Sequence, residues 1–237
     1  MEIPIVFTYT HNVPLVIAQR FVASVKRVMP GSHIYQQTDT DTEVIPGCIE
    51  LRRVRGEDFA EFFLGHLADL KLDRFIKLDY DCILQKDLKH IFKEDFQVGL
   101  TVRDEDKSLS EFFLKRHPHN AGVMFSKGKH TFWKELYDCY MSIIDRDGWM
   151  DACDAMEMAV RATKCKVLEL PCHTYNFTPT APDQDTSHAA VVHYKGNRKH
   201  WGLETGEMYR AMLAGNQVAD MVEEWLRKRT EWDGNKT

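Results

Sequence analysis

Short apolar runs that alternate with amphipathic stretches fill the first half of the chain, and they restrict its fold more than any other feature. Residues 3–9 are rich in β-branched and aromatic side chains and read as a buried strand. Asn12 and Pro14 supply a helix start, and Leu15, Val16, Phe21, Val22, Val25 and Val28 mark the apolar stripe of that helix, which Pro30 and Gly31 end. Residues 33–37 and 49–54 read as strands, 58–72 as a helix, and 75–78 and 97–102 as strands. Residues 122–125 read as a strand beginning beside Asn120, 130–144 and 150–163 as helices, 166–170 and 189–193 as strands, and 204–229 as an amphipathic helical tail. The expected class is therefore α/β, with a mixed, mostly parallel central sheet flanked by helices. Ligands of such sheets bind beyond the carboxyl ends of the strands. That singles out Thr8, Tyr9 and Thr10, residues 37–39, Asp79 to Asp81, Asn120 and His193.

Composition narrows the class further. With 43% hydrophobic residues in 237, the chain can bury a substantial core, as one α/β domain over 1–203 plus the tail at 204–237. Its net charge of −5 argues against a surface dedicated to wrapping nucleic acid. The six cysteines form no C-x-x-C pair, which disfavours a zinc ribbon and leaves reduced, mostly buried thiols as the expectation. No signal-peptide pattern and no apolar run of about 18 residues are present, so the sequence reads as soluble and cytoplasmic.

Asp79 and Asp81 flank one residue at the end of the apolar strand in the segment FIKLDYDCIL, residues 75–84. In extended backbone, residues two apart point to the same side, and Tyr80 would point the other way. Two carboxylates there repel unless a cation lies between them or one is protonated. A hard divalent ion takes such oxygens and also bridges phosphates. Alone, the D-x-D pattern suits a surface turn equally well. The stretch HYKGNRKHW, residues 193–201, adds to it. The run Ala189 to Val192 delivers His193 to a strand end, where a neutral imidazole can be a third ligand. Gly196 allows close approach of backbone to phosphate, Lys195, Arg198 and Lys199 offer positive charge to a diphosphate, and Trp201 can close the loop by packing. A solvated basic turn is the alternative for this stretch.

Three blocks in this order resemble glycosyltransferase family 8 and its relatives with the GT-A (Rossmann-like) fold. They are the strand with D-x-D, the stretch NAGVMF at 120–125, and the pattern H-x-x-G-x-x-K-x-W matched by His193, Gly196, Lys199 and Trp201. The resemblance spans roughly residues 3–201 and makes 1–203 the catalytic domain. It implies retaining transfer of a hexose, glucose or galactose foremost, from a uridine diphosphate (UDP) sugar with Mn²⁺ or Mg²⁺. By position, Asp79, Asp81 and His193 would ligate the metal, and Gly196 and Lys199 would contact the diphosphate. Asn120 and Ala121 would line the sugar pocket. Thr8, Tyr9 and Thr10 would meet the uridine, with Tyr80 beside the donor. Asp151 and Asp154, with Asn120, are the candidates to approach the reacting sugar. Asp154 is preferred because it opens an apolar helix, although helix-capping carboxylates would look alike. The family's arginine ahead of the D-x-D strand is missing, with Lys71 or Arg74 as possible stand-ins. A glycan or glycolipid is the default acceptor. Modified nucleic-acid bases are an alternative, with Lys195, Arg198, Lys199 and Arg227 to Arg229 as a basic rim. A non-catalytic nucleotide-sugar-binding protein and a sugar nucleotidyltransferase are competing readings. Residues 9–13 lack the glycine and lysine that the last would need.

Overall fold

A computed structural model describes residues 2–10, 14–53, 58–103, 110–144, 146 and 149–201. The elements in chain order are β1 (Ile5–Thr8), α1 (Leu15–Val28), β2 (Ile34–Thr38), β3 (Ile49–Arg52), α2 (Phe59–Asp69), β4 (Arg74–Leu78), β5 (Cys82–Leu84), β6 (Val98–Val102), α3 (Glu111–Arg116), β7 (His119–Lys127), α4 (Phe132–Ser142), α5 (Trp149–Ala162), β8 (Val167–Pro171), α6 (Cys172–Tyr175) and β9 (Val191–His193). Seven strands form one sheet in the order β3-β2-β1-β4-β7-β6-β8, and β5 pairs with β9 in a small second sheet. Within the large sheet β7 alone runs antiparallel to its neighbours. The carboxyl ends of β1, β2, β4, β6 and β8 therefore share one edge with the start of β7, which puts Asn120 at the edge predicted for ligands.

Helices cover both faces, as the near-continuous apolar strands require. On β1, Ile5 and Phe7 join the core beneath α1, whereas Val6 joins the core beneath α2, α4 and α5. Phe21 and Val25 of α1 pack with Leu84 and Val191 of the small sheet. Phe75, Met124, Trp133, Tyr140 and Met156 fill the other side. Local signals set the helix starts. Pro14 precedes α1; Asp58 caps α2 by accepting from the Glu61 amide at 2.7 Å, and Ser110 caps α3 by accepting from Phe113 at 3.1 Å.

The structure departs from the sequence reading in identifiable places. β7 is nine residues long and already includes His119 and Asn120, because it pairs with both β4 and β6. The three-residue β5 and six-residue α3 are too short to show periodicity. A single 3₁₀ turn at Lys89–Lys93 follows β5. Asn12 and the tail 204–237 lie outside the described residues. All six cysteines are free, and no helix among the described residues is long and apolar enough to cross a membrane.

Candidate active site

The chain leaves β4 through Asp79, Tyr80 and Asp81, and these residues are not extended. The Cys82 amide donates to the Asp79 carbonyl at 3.1 Å and closes a turn. The turn, rather than strand alternation, is what aims both carboxylates the same way. It hands the chain from the large sheet to the small one, where Cys82 lies opposite His193 in the β5–β9 ladder. His193 Nε2 then sits 3.0 Å from Asp81 Oδ1 and 3.4 Å from Asp79 Oδ2. The three expected metal ligands are thus brought together. Tyr80 does not turn away as expected; its hydroxyl accepts from Lys199, and its ring meets Tyr9 edge-on at 6.3 Å.

A buried hydrogen-bond chain fixes the histidine. Thr101 Oγ1 donates to the Asn120 carbonyl at 3.0 Å and so accepts from Asn176 Nδ2 at 2.9 Å. Asn176 Oδ1 is then free to accept, and His193 Nδ1 donates to it at 2.8 Å. With the Nδ1 proton so assigned, Nε2 of a neutral ring presents a lone pair toward two carboxylates. That arrangement repels itself unless a cation or a second proton lies between the three atoms. Asp81 Oδ1 is buried and lacks a hydrogen-bond partner. A divalent ion at this point would satisfy all three groups, so the donor set fits Mn²⁺ or Mg²⁺. Gly122 makes the arrangement possible. A Cβ there would stand 2.4 Å from the His193 ring, and the Gly122 carbonyl accepts from the Asp79 amide at 2.9 Å.

Among the described residues, the group whose ligand atoms all lie within 4.8 Å of one another is Asp81, Cys82 and His193. Burial pushes the Cys82 thiol well above its ordinary value, which keeps it protonated and makes it a poorer ligand than Asp79.

Two ammonium groups flank the carboxylates. Lys77, on β4 with its side chain 3% exposed, donates to Asp79 Oδ1 and, at 2.7 Å, to the Ala121 carbonyl. Lys199 Nζ lies 2.9 Å from Asp81 Oδ2. Burial alone would push the Asp81 carboxyl up; a protonated His193 ring, together with Lys199, outweighs it and holds Asp81 well below the usual carboxylate range, and a bound cation would take that proton's place. The stand-ins named for the family's arginine lie elsewhere. Arg74 begins β4 at the end opposite Asp79, paired with Lys127, and Lys71 is exposed before it, so neither stand-in reaches the site. A lysine within an apolar strand was the available signal for Lys77, because a buried ammonium needs a partner. Asn176 and Thr101 gave no such signal.

The other expected residues divide. Thr8, Tyr9 and Thr10 are buried at the same edge, with the Thr8 hydroxyl donating to Gln37 at 2.7 Å. Burial, with help from Tyr80, pushes Tyr9 up to about 12. Gly196 has φ +56° and open space where a Cβ would go. Asn120 Oδ1 accepts from the Gly122 amide at 3.0 Å. Asp154 lies apart. The helix α5 begins at Trp149, so Asp151 is in its first turn and Asp154 is within it rather than opening it. Arg116 grips both Asp154 oxygens at 3.0 and 2.7 Å, and His117 Nδ1 is 3.7 Å away. These contacts tie Asp154 to α3 and the residue after it rather than to the carboxylate pair. Nor do the basic residues among those described form an outward rim. Lys199 turns into the cleft and Arg198 lies over Trp201 at 5.8 Å, which removes the support for a nucleic-acid acceptor; residues 227–229 lie outside the described residues.

No protein-family model matches the chain, and no curated protein matches it in sequence. Solved structures do. The bifunctional glycosyltransferase WbbM aligns with a TM-score of 0.62 at 11% identity, covering 90% of this chain and 51% of its own. The galactosyltransferase LgtC, solved with donor and acceptor sugar analogs, aligns at 0.53 and 14%, covering 89% and 99%. The glycosyltransferase GlyE of Streptococcus pneumoniae aligns at 0.59 and 15%, covering 97% and 64%. The chain thus spans about half of WbbM and nearly all of LgtC. At these identities the likeness carries architecture, and the architecture is the GT-A-like glycosyltransferase fold.

Proposed function

We propose that this protein is a retaining glycosyltransferase that moves a hexose from a UDP-sugar to an acceptor hydroxyl, with Mn²⁺ or Mg²⁺ held by Asp79, Asp81 and His193. The observation that carries the reading is His193 Nε2 facing Asp81 and Asp79 at 3.0 and 3.4 Å, with Nδ1 committed to Asn176. When bound, the cation would neutralise charge that develops on the leaving diphosphate. The protein's own groups do the rest. Thr8, Tyr9 and Thr10 receive the uridine beside Tyr80. Lys199 and the backbone at Gly196 take the diphosphate, and Asn120 and Ala121 line the sugar. Asp151 and Asp154 stand on α5, which packs on β7, and are the carboxylates assigned to the sugar's reacting face. Asp154 would have to leave Arg116 to act. The acceptor is assigned to the glycan class, by analogy with the acceptor sugar analog bound to LgtC.

The Arg116–Asp154 pair is also the observation that favours a second reading, a non-catalytic nucleotide-sugar-binding protein. One experiment separates the two. Each nucleotide sugar is offered with Mn²⁺, with and without simple glycan acceptors, and free nucleoside diphosphate is measured. Release from a uridine donor that EDTA abolishes is the expected result. Tight donor binding without release from any donor would leave only the binding reading.

A further inference from the structure

The charges around the carboxylate pair do not balance. Asp79 is matched by Lys77, and Asp81 by Lys199. Two more cations stand close by without a matching anion. Arg20 of α1 is buried, with its guanidinium 5.1 Å from the Tyr194 ring centroid. None of its three nitrogens has a hydrogen-bond partner, and it lies within electrostatic reach of Asp81. Burial pushes it down to about 10, which leaves it charged at neutral pH. Lys195 is half-buried within electrostatic reach of Asp79 and makes no ion pair among the described residues. Two carboxylates with open charge would repel a diphosphate until a metal arrived. Here the carboxylates are already neutralised, and the surplus is positive.

The two matched lysines also differ in freedom. Lys77 projects from a central strand and is sealed beneath Ala121 and the Phe63 ring. Lys199 is 25% exposed and sits on the 3₁₀ turn Gly196–His200, which starts at a left-handed glycine with open space around it. Lys199 can therefore swing, and Lys77 cannot.

Resting on the proposed function, we infer that a nucleoside diphosphate enters this cleft before any divalent cation, and that Lys199 then trades places with the cation. Lys199 holds Asp81 Oδ2 in the free protein. A diphosphate drawn by Arg20, Lys195 and Lys199 pulls Lys199 off Asp81 and exposes that oxygen to the metal. Linkage then requires nucleotide and cation to strengthen each other's binding equally.

Titration calorimetry with UDP, uridine and Mn²⁺ tests this on the full chain. UDP is expected to bind in EDTA, uridine about tenfold or more weaker, and Mn²⁺ to tighten UDP by about tenfold or more. Lys199→Met should bind Mn²⁺ alone several-fold tighter than the unaltered protein, because the competing ammonium is gone, and lose most metal-free UDP affinity. Lys195→Met should weaken metal-free UDP binding while changing Mn²⁺ affinity far less. UDP binding only when Mn²⁺ is present would overturn the order of entry. A Lys199→Met variant that binds Mn²⁺ alone no tighter would overturn the exchange. Equal binding of uridine and UDP in EDTA would overturn the charge argument. A lack of UDP binding under every condition would instead bring down the functional reading beneath it.

Discussion

Two clusters of acidic and histidine side chains stand at the same edge of the sheet, and they are built on opposite principles. At the end of β4, Asp79, Asp81 and a neutral His193 aim acceptor atoms at one another, and Asp81 Oδ1 lacks a hydrogen-bond partner. Beneath α5, Asp154 and Glu157 face an arginine and a histidine. Arg116 takes both oxygens of Asp154, while Glu157 receives the His119 amide at 3.3 Å and faces the His119 ring at 3.1 and 3.2 Å. In the first cluster a neutral His193 faces two carboxylates across a gap that fits a cation; in the second, Arg116 and His119 face Asp154 and Glu157. Like residue types thus signal a ligand site in one place and an interlock in the other. The discriminating observation is whether acceptors face acceptors or face donors.

Breaking the first cluster should have the largest effect. Asp81→Ala is expected to lower metal-dependent donor turnover by more than about 100-fold, since even groups behind a metal ligand cost about 10- to 100-fold. Circular dichroism should stay unchanged, and normal turnover in the folded variant would end the metal assignment. Asn176→Ala comes next. It removes the acceptor that orients His193 and should weaken Mn²⁺ affinity in the presence of UDP by about 10- to 100-fold. Gly122→Ala should force the His193 ring aside and destabilise the fold by about 1–3 kcal/mol, readable by urea denaturation. In the second cluster, Asp154→Asn should leave the urea midpoint nearly unchanged but lower kcat if Asp154 serves the sugar. An unchanged kcat would confine Asp154 to its pairing with Arg116.

The smallest effect concerns His117. Burial lowers its pKa, against an opposing contribution from Asp154. The unfolded chain then takes up this proton first as pH falls below the ordinary histidine value. Stability should decline from there until the lower folded pKa is passed. His117→Gln should flatten that part of a urea-midpoint profile; an unaltered profile would remove His117 as its cause.

Much of the sheet could be read from the sequence because its strands are apolar runs bounded by turns. Residues 75–78 and 97–102 lie within a residue of β4 and β6. Asp79, Asp81, Asn120 and His193 could be singled out for the same reason, since each stands next to such a run. What escaped depends on pairing across the fold. Asn176 matters only because the short β9 brings His193 beside it, and Gly122 only because that ring needs the space of a missing Cβ. The preference for Asp154 rested on an expected helix opening. The helix starts five residues earlier, and its partner Arg116 belongs to α3, a helix too short to read from sequence.

The central claim is that Asp79, Asp81 and His193 together hold a divalent cation for a nucleotide donor. Electron paramagnetic resonance of Mn²⁺ with saturating UDP tests it most directly, through loss of the free-ion signal. The account predicts one Mn²⁺ per chain in the unaltered protein and at least about tenfold weaker binding in each of Asp79→Ala, Asp81→Ala and His193→Ala. Mn²⁺ binding of equal strength in folded Asp81→Ala and His193→Ala variants would contradict it.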